Sequence, residues 1–346
     1  MKPLARTKKL MPLTLFASAL ALSACQPEVG VGGDPDSALK VNATPAPASN
    51  DGAKPAGKVA KFEEKVTDLA AHGNTIAVRT KDALYVGQQS EFLGGDAKKI
   101  DIDEKCGDLN ASQQGFVLAC GDKVYLFDPT KPDAPTEVAM EEEAPVTVAT
   151  QLSSGEIFAG SKDSRTVGIY EDGKRDRDIE VEEGSDQLLA VPNDAGADNV
   201  VRILRADSTI QNIDWQNDRA GGRLRAGQGI GQISVGDGAL VLASDTSGER
   251  LAVYTADDVI RLHQYGNVDG SPWGVAWDPQ RQLAWVTTTD NGKAHAFSIV
   301  SGVPENKGSV DTVADAQNIA VLDDATVVTA SASGSGIQFI SEPNLK

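Results

Sequence analysis

From residue 59 to the C-terminus the apolar positions fall into short β-rich runs divided by Gly, Asp, Asn and Ser. No stretch sustains a helical period, so the pattern predicts strands and turns throughout. The clearest stretch is 272–302, PWGVAWDPQRQLAWVTTTDNGKAHAFSIVSG. It reads as three strands and two turns. An apolar start at Trp273, Val275 and Trp277 leads to the turn Asp278-Pro279-Gln280. A strand over 283–288, the turn Asp290-Asn291-Gly292 and a strand over 294–299 follow.

Weaker copies recur along the chain. Aligning on this rhythm places seven second strands at 75–80, 116–121, 156–161, 200–205, 239–244, 283–288 and 326–331. Their starts lie 41, 40, 44, 39, 44 and 43 residues apart. Third strands follow at 83–87, 123–128, 166–171, 209–214, 250–255, 293–298 and 336–341. A unit of ~40–45 residues with four strands is the signature of a β-propeller. The last unit stops after three strands, and only 342–346 remain. Residues 59–66 have strand character and precede the first complete unit. Pairing them with the last unit closes the ring and removes its open edge. The fold class expected is all-β, a seven-bladed β-propeller over 58–346.

The stretch 272–302 resembles the YVTN-type propeller repeat. The matching residues are Pro272, Gly274, Val275, Ala276, Leu283, Trp285, Val286, Thr287 and the closing Ser301-Gly302. The other copies share the rhythm and not the letters.

Ahead of the repeats stands a targeting segment. Residues 1–24 carry Lys2, Arg6, Lys8 and Lys9 and no acid, then an apolar run over 11–22 that is too short to span a bilayer as a helix. The run ends in Leu22-Ser23-Ala24-Cys25, which matches the bacterial lipobox. The resemblance implies cleavage before Cys25 and its thioether lipidation, hence an extracytoplasmic protein anchored to the cell membrane. An ordinary secretory signal cleaved after Ala24 is the other reading. Residues 26–57 are rich in Pro, Gly, Ala, Ser and Asp and carry no aromatic residue. Such a segment buries too little apolar surface to fold. It is read as a disordered, flexible tether holding the propeller ~30 Å from its anchor.

Charge narrows the partners. The chain of 346 residues has a formal net charge of −18, and removal of residues 1–24 leaves −22. So acidic a surface repels phosphate backbones and excludes nucleic acid as a partner. At 40% hydrophobic residues the chain is ample for a sizeable core.

Besides Cys25 there are Cys106 and Cys120. The alignment puts them at one rim of neighbouring antiparallel strands in the second blade, where an exported chain forms a disulfide. A reduced pair or a metal site is the rival reading, and it lacks the further donors that Cys ligation wants.

The inner-strand ends place Asp68, Asp108, Thr147, Gln187, Gln232, Trp273 and Asn318 around the mouth of the central channel. One reading is a small polar or cationic ligand at the mouth, stacked on Trp273. The other is a polar lining that simply faces water. Asp82, Asp122, Asp163, Asp207, Asp245 and Asp290 recur in the loops between second and third strands, where Asp commonly bonds its own backbone. Gly227-Gln228-Gly229-Ile230-Gly231 resembles a phosphate loop but lacks the following Lys and helix, so it reads as a turn. His72, His263 and His295 have no metal-ligand spacing, and no G-x-S-x-G elbow occurs. No cofactor, metal or catalytic set is assigned.

Lipobox, tether and repeats together resemble the propeller lipoproteins common in actinobacteria, including the LppL type. That resemblance implies a non-enzymatic scaffold that binds a protein partner in the cell envelope. Two alternatives are carried: a hydrolase or lactonase, for which Asp68 and Asp108 are the one acid/base pair in adjacent blades, and a small-ligand binding module.

Overall fold

The computed structural model describes residues 42–49, 54–194 and 196–346. Residues 1–24 and Cys25, on which the signal and lipidation readings fall, lie outside them. The described residues form seven four-stranded antiparallel sheets arranged as a seven-bladed β-propeller. Blade one is Asp68–His72, Thr75–Arg79, Ala83–Gln88 and Lys98–Asp101, running from the channel outward. The second and third strands match the expected positions to within about a residue, because both follow from hairpin turns legible in sequence.

Burial explains the lettering of each strand. Second strands are sandwiched between neighbouring blades: in Gly115–Cys120 every residue is buried, and the run is continuously apolar. Outer strands expose one face and one edge. Lys174–Glu180 reads KRDRDIE with only Ile179 buried, and its charges discourage pairing with other chains. One α-helix, Gln89–Gly94, is present among the described residues and is not expected from the pattern. At six residues it is too short to show a period. The Gln88 N–H donates to the Glu91 carboxylate (2.6 Å), and Gly95 closes the helix in the left-handed region.

Closure is as expected in kind and shorter in extent. Lys58–Ala60 forms the outer strand of blade seven, with Lys58 opposite Phe339 and Ala60 opposite Ile337. Residues 61–66 are not strand. They carry the chain from the outside of blade seven to the inside of blade one, and Val66 N–H donates to Ser331 O (3.1 Å) on the way. Gln338, fully buried, joins the parts. Its amide donates to Ala56 O (2.8 Å) and Asp311 O (2.9 Å), and its carbonyl accepts from Val313 N–H (2.9 Å) and Thr329 Oγ1 (2.8 Å).

The segment 26–57 is not without structure throughout. Residues 42–49 lie against the ring in an irregular extended path, and Ala43 is only 4% exposed. Composition argued only from apolar burial. This segment is held by hydrogen bonds to Thr289 of blade six and by Ala43 beside Gly229 of blade five, described below.

Candidate functional site at the channel mouth

Inner strands all begin at one rim, and the loops between second and third strands return to it. At this rim Asp68 opens its strand, and Asp108 stands just ahead of Leu109–Ser112. Asp108 is fixed by its backbone: its N–H donates to Thr147 O (2.8 Å), and its carbonyl accepts from Ala119 N–H (3.2 Å). A disulfide joins Cys106 to Cys120 beside it (S–S 2.01 Å). Gly107 lies between them against the Thr147 backbone, so close that a Cβ would collide with it.

The expected ring of mouth residues is brought together in part. Asp68, Asp108, Gln187, Gln232 and Asn318 line a channel cavity of ≈ 270 Å³. Below them the lining turns apolar, with Leu69, Leu109, Ile233, Val275 and Ile319. Thr147 and Trp273 do not line it. Thr147 Oγ1 accepts from Lys162 N–H (2.9 Å) within its own blade. The Trp273 indole is 8% exposed, and the Arg205 guanidinium lies 5.5 Å from its ring centroid. A cation does stack on Trp273, but the chain supplies it. Gln187 Oε1 accepts from Ile233 N–H (3.0 Å), which ties blade four to blade five. Asn110, unassigned by sequence, donates to Ala149 O (2.7 Å) and Leu188 O (3.1 Å) and ties blade two to blades three and four.

Asp68 and Asp108 meet side by side. Arg79 Nη1 donates to Asp68 Oδ2 (2.9 Å) and Thr67 Oγ1 (2.9 Å), and Nη2 donates to Cys106 O. Only 18% of the Asp68 side chain and 12% of the Arg79 side chain are exposed. The two carboxyls are neighbours at the cavity wall, close enough for each to act on the other. Asp108 Oδ2 is buried and meets no N–H or O–H donor among the described residues. Two neighbouring buried carboxyls disfavour each other's ionisation. Burial raises Asp68 to about 6 against the pull of Arg79 and Arg205. Burial, then the charge of Asp68, push Asp108 well above the usual carboxylate range. Arg79 pairs with Asp68, so of the two carboxyls Asp108 is the one that holds its proton to higher pH.

Arg205 completes the mouth. It follows the second strand Asn199–Leu204 of blade four, and its Nε donates to Gly231 O of blade five (2.7 Å). Its charge reaches Asp68 and Asp108 in blades one and two. Sequence reasoning missed both arginines. Arg79 was recoverable, because the hairpin register sets it opposite Asp68. Arg205 carries no such signal.

The loop aspartates serve the turns. Asp245 Oδ1 accepts from the N–H groups of Gln228 (2.8 Å), Gly229 (2.9 Å) and Gly248 (3.1 Å), and Arg250 grips Oδ2 (2.6 and 3.0 Å). The glycine loop at 227–231 thus cradles an anion, and the anion is the protein's own carboxylate. Asp290 Oδ1 likewise accepts from Ser271 N–H (2.9 Å). Among the described residues no cluster of three or more His, Cys, Asp or Glu has the geometry of a metal site.

No family model and no curated protein matches the chain. Solved structures do. A chain of Kuenenia stuttgartiensis hydrazine synthase superposes with a TM-score of 0.62 at 10% identity, over 86% of this chain and 100% of that one. A chain of the mitotic checkpoint complex gives 0.65 at 13% identity, over 86% and 98%. The WD40 propeller domain of Doa1 gives 0.61 at 12% identity, over 84% and 98%. The likeness is one of fold alone. It spans proteins of unlike activity, so function has to be argued from this chain's own residues.

Proposed function

We propose that the chain is an envelope lipoprotein, lipidated at Cys25, whose propeller serves as a protein-binding scaffold. The lipobox Leu22-Ser23-Ala24-Cys25 behind its basic and apolar regions supports the anchor. The resemblance to YVTN-type repeats and to LppL-type propeller lipoproteins supports the same compartment. One neighbour in fold belongs to a mitotic checkpoint complex, which makes assembly a known use of the architecture. The observation that carries binding over catalysis is how the mouth spends its polar groups. Arg79 is taken by Asp68, Trp273 by Arg205 and Gln187 by Ile233. They hold blades together and offer a substrate few free groups.

A second reading rests on one specific observation: Asp68 and Asp108 are neighbouring carboxyls lining one cavity, both pushed above the usual carboxylate range by burial. That is a chemistry of general acid and base, suited to opening a lactone. Membrane fractionation, affinity capture from membranes and a lactone-hydrolysis screen on the full chain separate the readings. The scaffold reading expects Cys25→Ala to leave the membrane fraction or stay uncleaved, and expects saturable capture of an envelope protein without hydrolysis. Lactone turnover abolished by Asp68→Asn or Asp108→Asn would establish the second reading, and an unchanged membrane fraction with normal mature mass in Cys25→Ala would remove the anchor.

A further inference from the structure

The segment Asn42-Ala43-Thr44-Pro45-Ala46-Pro47-Ala48-Ser49 is seated on the rim that carries the channel mouth, across the seam between blades five and six. Ser49 N–H donates to Thr289 O (3.2 Å), and Thr289 Oγ1 donates to Ala46 O (2.7 Å). Thr289, fully buried, thus reads the segment's main chain twice. Ala43 fills a recess beside Gly229. A Cβ on Gly229 would stand 3.3 Å from the Ala43 Cβ and collide with Ser247 Oγ. Ala43 is buried there, 4% exposed. Pro45 and Pro47 hold the backbone extended, with little entropy left to lose on docking. Asn42, Thr44 and Pro47 face solvent, so recognition runs through main-chain groups and one small side chain. No charge of the segment takes part, on a molecule that is otherwise strongly acidic.

These are the features of a peptide-recognition groove with its occupant in place. We infer that the seam between blades five and six is a docking groove for an extended, uncharged, Pro- and Ala-rich segment of a partner protein, and that residues 42–49 cover it in cis. The inference rests on the reading of the propeller as a binding module and names the surface and the chemistry of the partner segment. The covering segment rejoins the ring at Ala56, whose N–H donates to Asp311 O (3.0 Å). A contact tethered this closely competes at an effective concentration in the millimolar range, so two hydrogen bonds and one methyl pocket suffice to keep it docked. A partner binds only to the uncovered fraction, and its apparent affinity falls by that fraction.

The test uses the full chain. A fluorescent peptide of sequence NATPAPAS is titrated into the wild type and into Ala43→Trp, whose indole overpacks a position where Ala43 is buried. The substitution lies in the covering segment and leaves the ring untouched. Hydrogen exchange serves as the control: Ser49 N–H is protected in the wild type and exposed in Ala43→Trp, with ring protection equal in both. The peptide is expected to bind Ala43→Trp at least tenfold more tightly than the wild type. Thr289→Val added to Ala43→Trp is expected to lose that gain, as is a peptide carrying the Ala43→Trp change. Equal binding to wild type and Ala43→Trp, binding to neither, or an unprotected Ser49 N–H in the wild type overturns the inference. Membrane capture of a partner elsewhere on the ring would leave the scaffold reading standing and this groove refuted.

Discussion

Arg205 of blade four lies with its guanidinium 5.5 Å from the ring centroid of Trp273 in blade six. Its Nε is anchored on Gly231 of blade five. One side chain therefore spans three blades at the channel mouth, and its charge acts on the carboxyl pair of two more. The aromatic face that one reading of the sequence offers to a ligand is occupied by the protein.

Arg205→Gln should remove both effects at once. Loss of the cation–π contact costs about 0.5–2 kcal/mol of stability, the range for partly desolvated pairs. Arg205 lowers the pKa of both carboxyls, so without it the pair should release its proton at higher pH. Carboxyl ¹³C titration by NMR measures the second effect. Trp273→Leu should lower stability while keeping the charge. Unmoved titration curves in Arg205→Gln would show that its charge does not reach the pair.

Asp68 should give the fold a distinctive pH dependence. Folding raises its pKa from 3.8 to about 6, so between those values the native state holds a proton that the unfolded chain has lost. Stability from this group is full below about pH 4 and falls as pH rises through 6, by about 3 kcal/mol. Asp108 acts with the same sign at higher pH. The groups that face them are Arg79, Arg205 and Asn110. Carboxylates held below their usual range by hydrogen bonds, such as Asp128 and Asp214, act oppositely and only at lower pH. Urea unfolding at pH 4.5 and 7.5 should show the slope in the wild type and its loss in Asp68→Asn. The slope is the readout, because Asp68→Asn also weakens the partner of Arg79.

The Cys106–Cys120 bond closes a short loop, with partners 14 residues apart in sequence. In the chain-entropy model such closure is worth about 3 kcal/mol. Intact mass after alkylation without reductant should show neither thiol labelled. The Cys106→Ala/Cys120→Ala chain should unfold about 2–4 kcal/mol more easily and loosen Asp108, which lies between the two bridged residues. A double variant as stable as the wild type would refute the contribution.

Ring closure should fail at Gly57. Its φ of +67° favours glycine, and a Cβ there would strike the Phe339 carbonyl. Gly57→Ala should detach Lys58–Ala60 from Ile337–Ile340 and expose the edge of blade seven. Gln338→Leu should act at the same place, leaving the Val313 N–H without its acceptor at a cost of about 1–3 kcal/mol. A lower melting temperature and concentration-dependent aggregation are expected of both, and monomeric variants melting like the wild type would contradict this account of closure.

The strand rhythm determined the blade number and the closing partner, because hairpins are local and their turns are written in neighbouring residues. The same register carried Asp68, Asp108, Gln187, Gln232 and Asn318 to one cavity and put Cys106 within reach of Cys120. Tertiary structure decided what those residues do. Arg205 and Trp273 lie 68 positions apart in sequence and meet because a long side chain crosses blades four to six, a distance that no repeat period encodes. Burial of the two neighbouring carboxyls, which pushes both above their usual range, likewise depends on the closed ring. Residues 42–49 were misread for a related reason. Apolar periodicity reports packing of side chains, whereas this segment is held chiefly by main-chain groups that every residue carries.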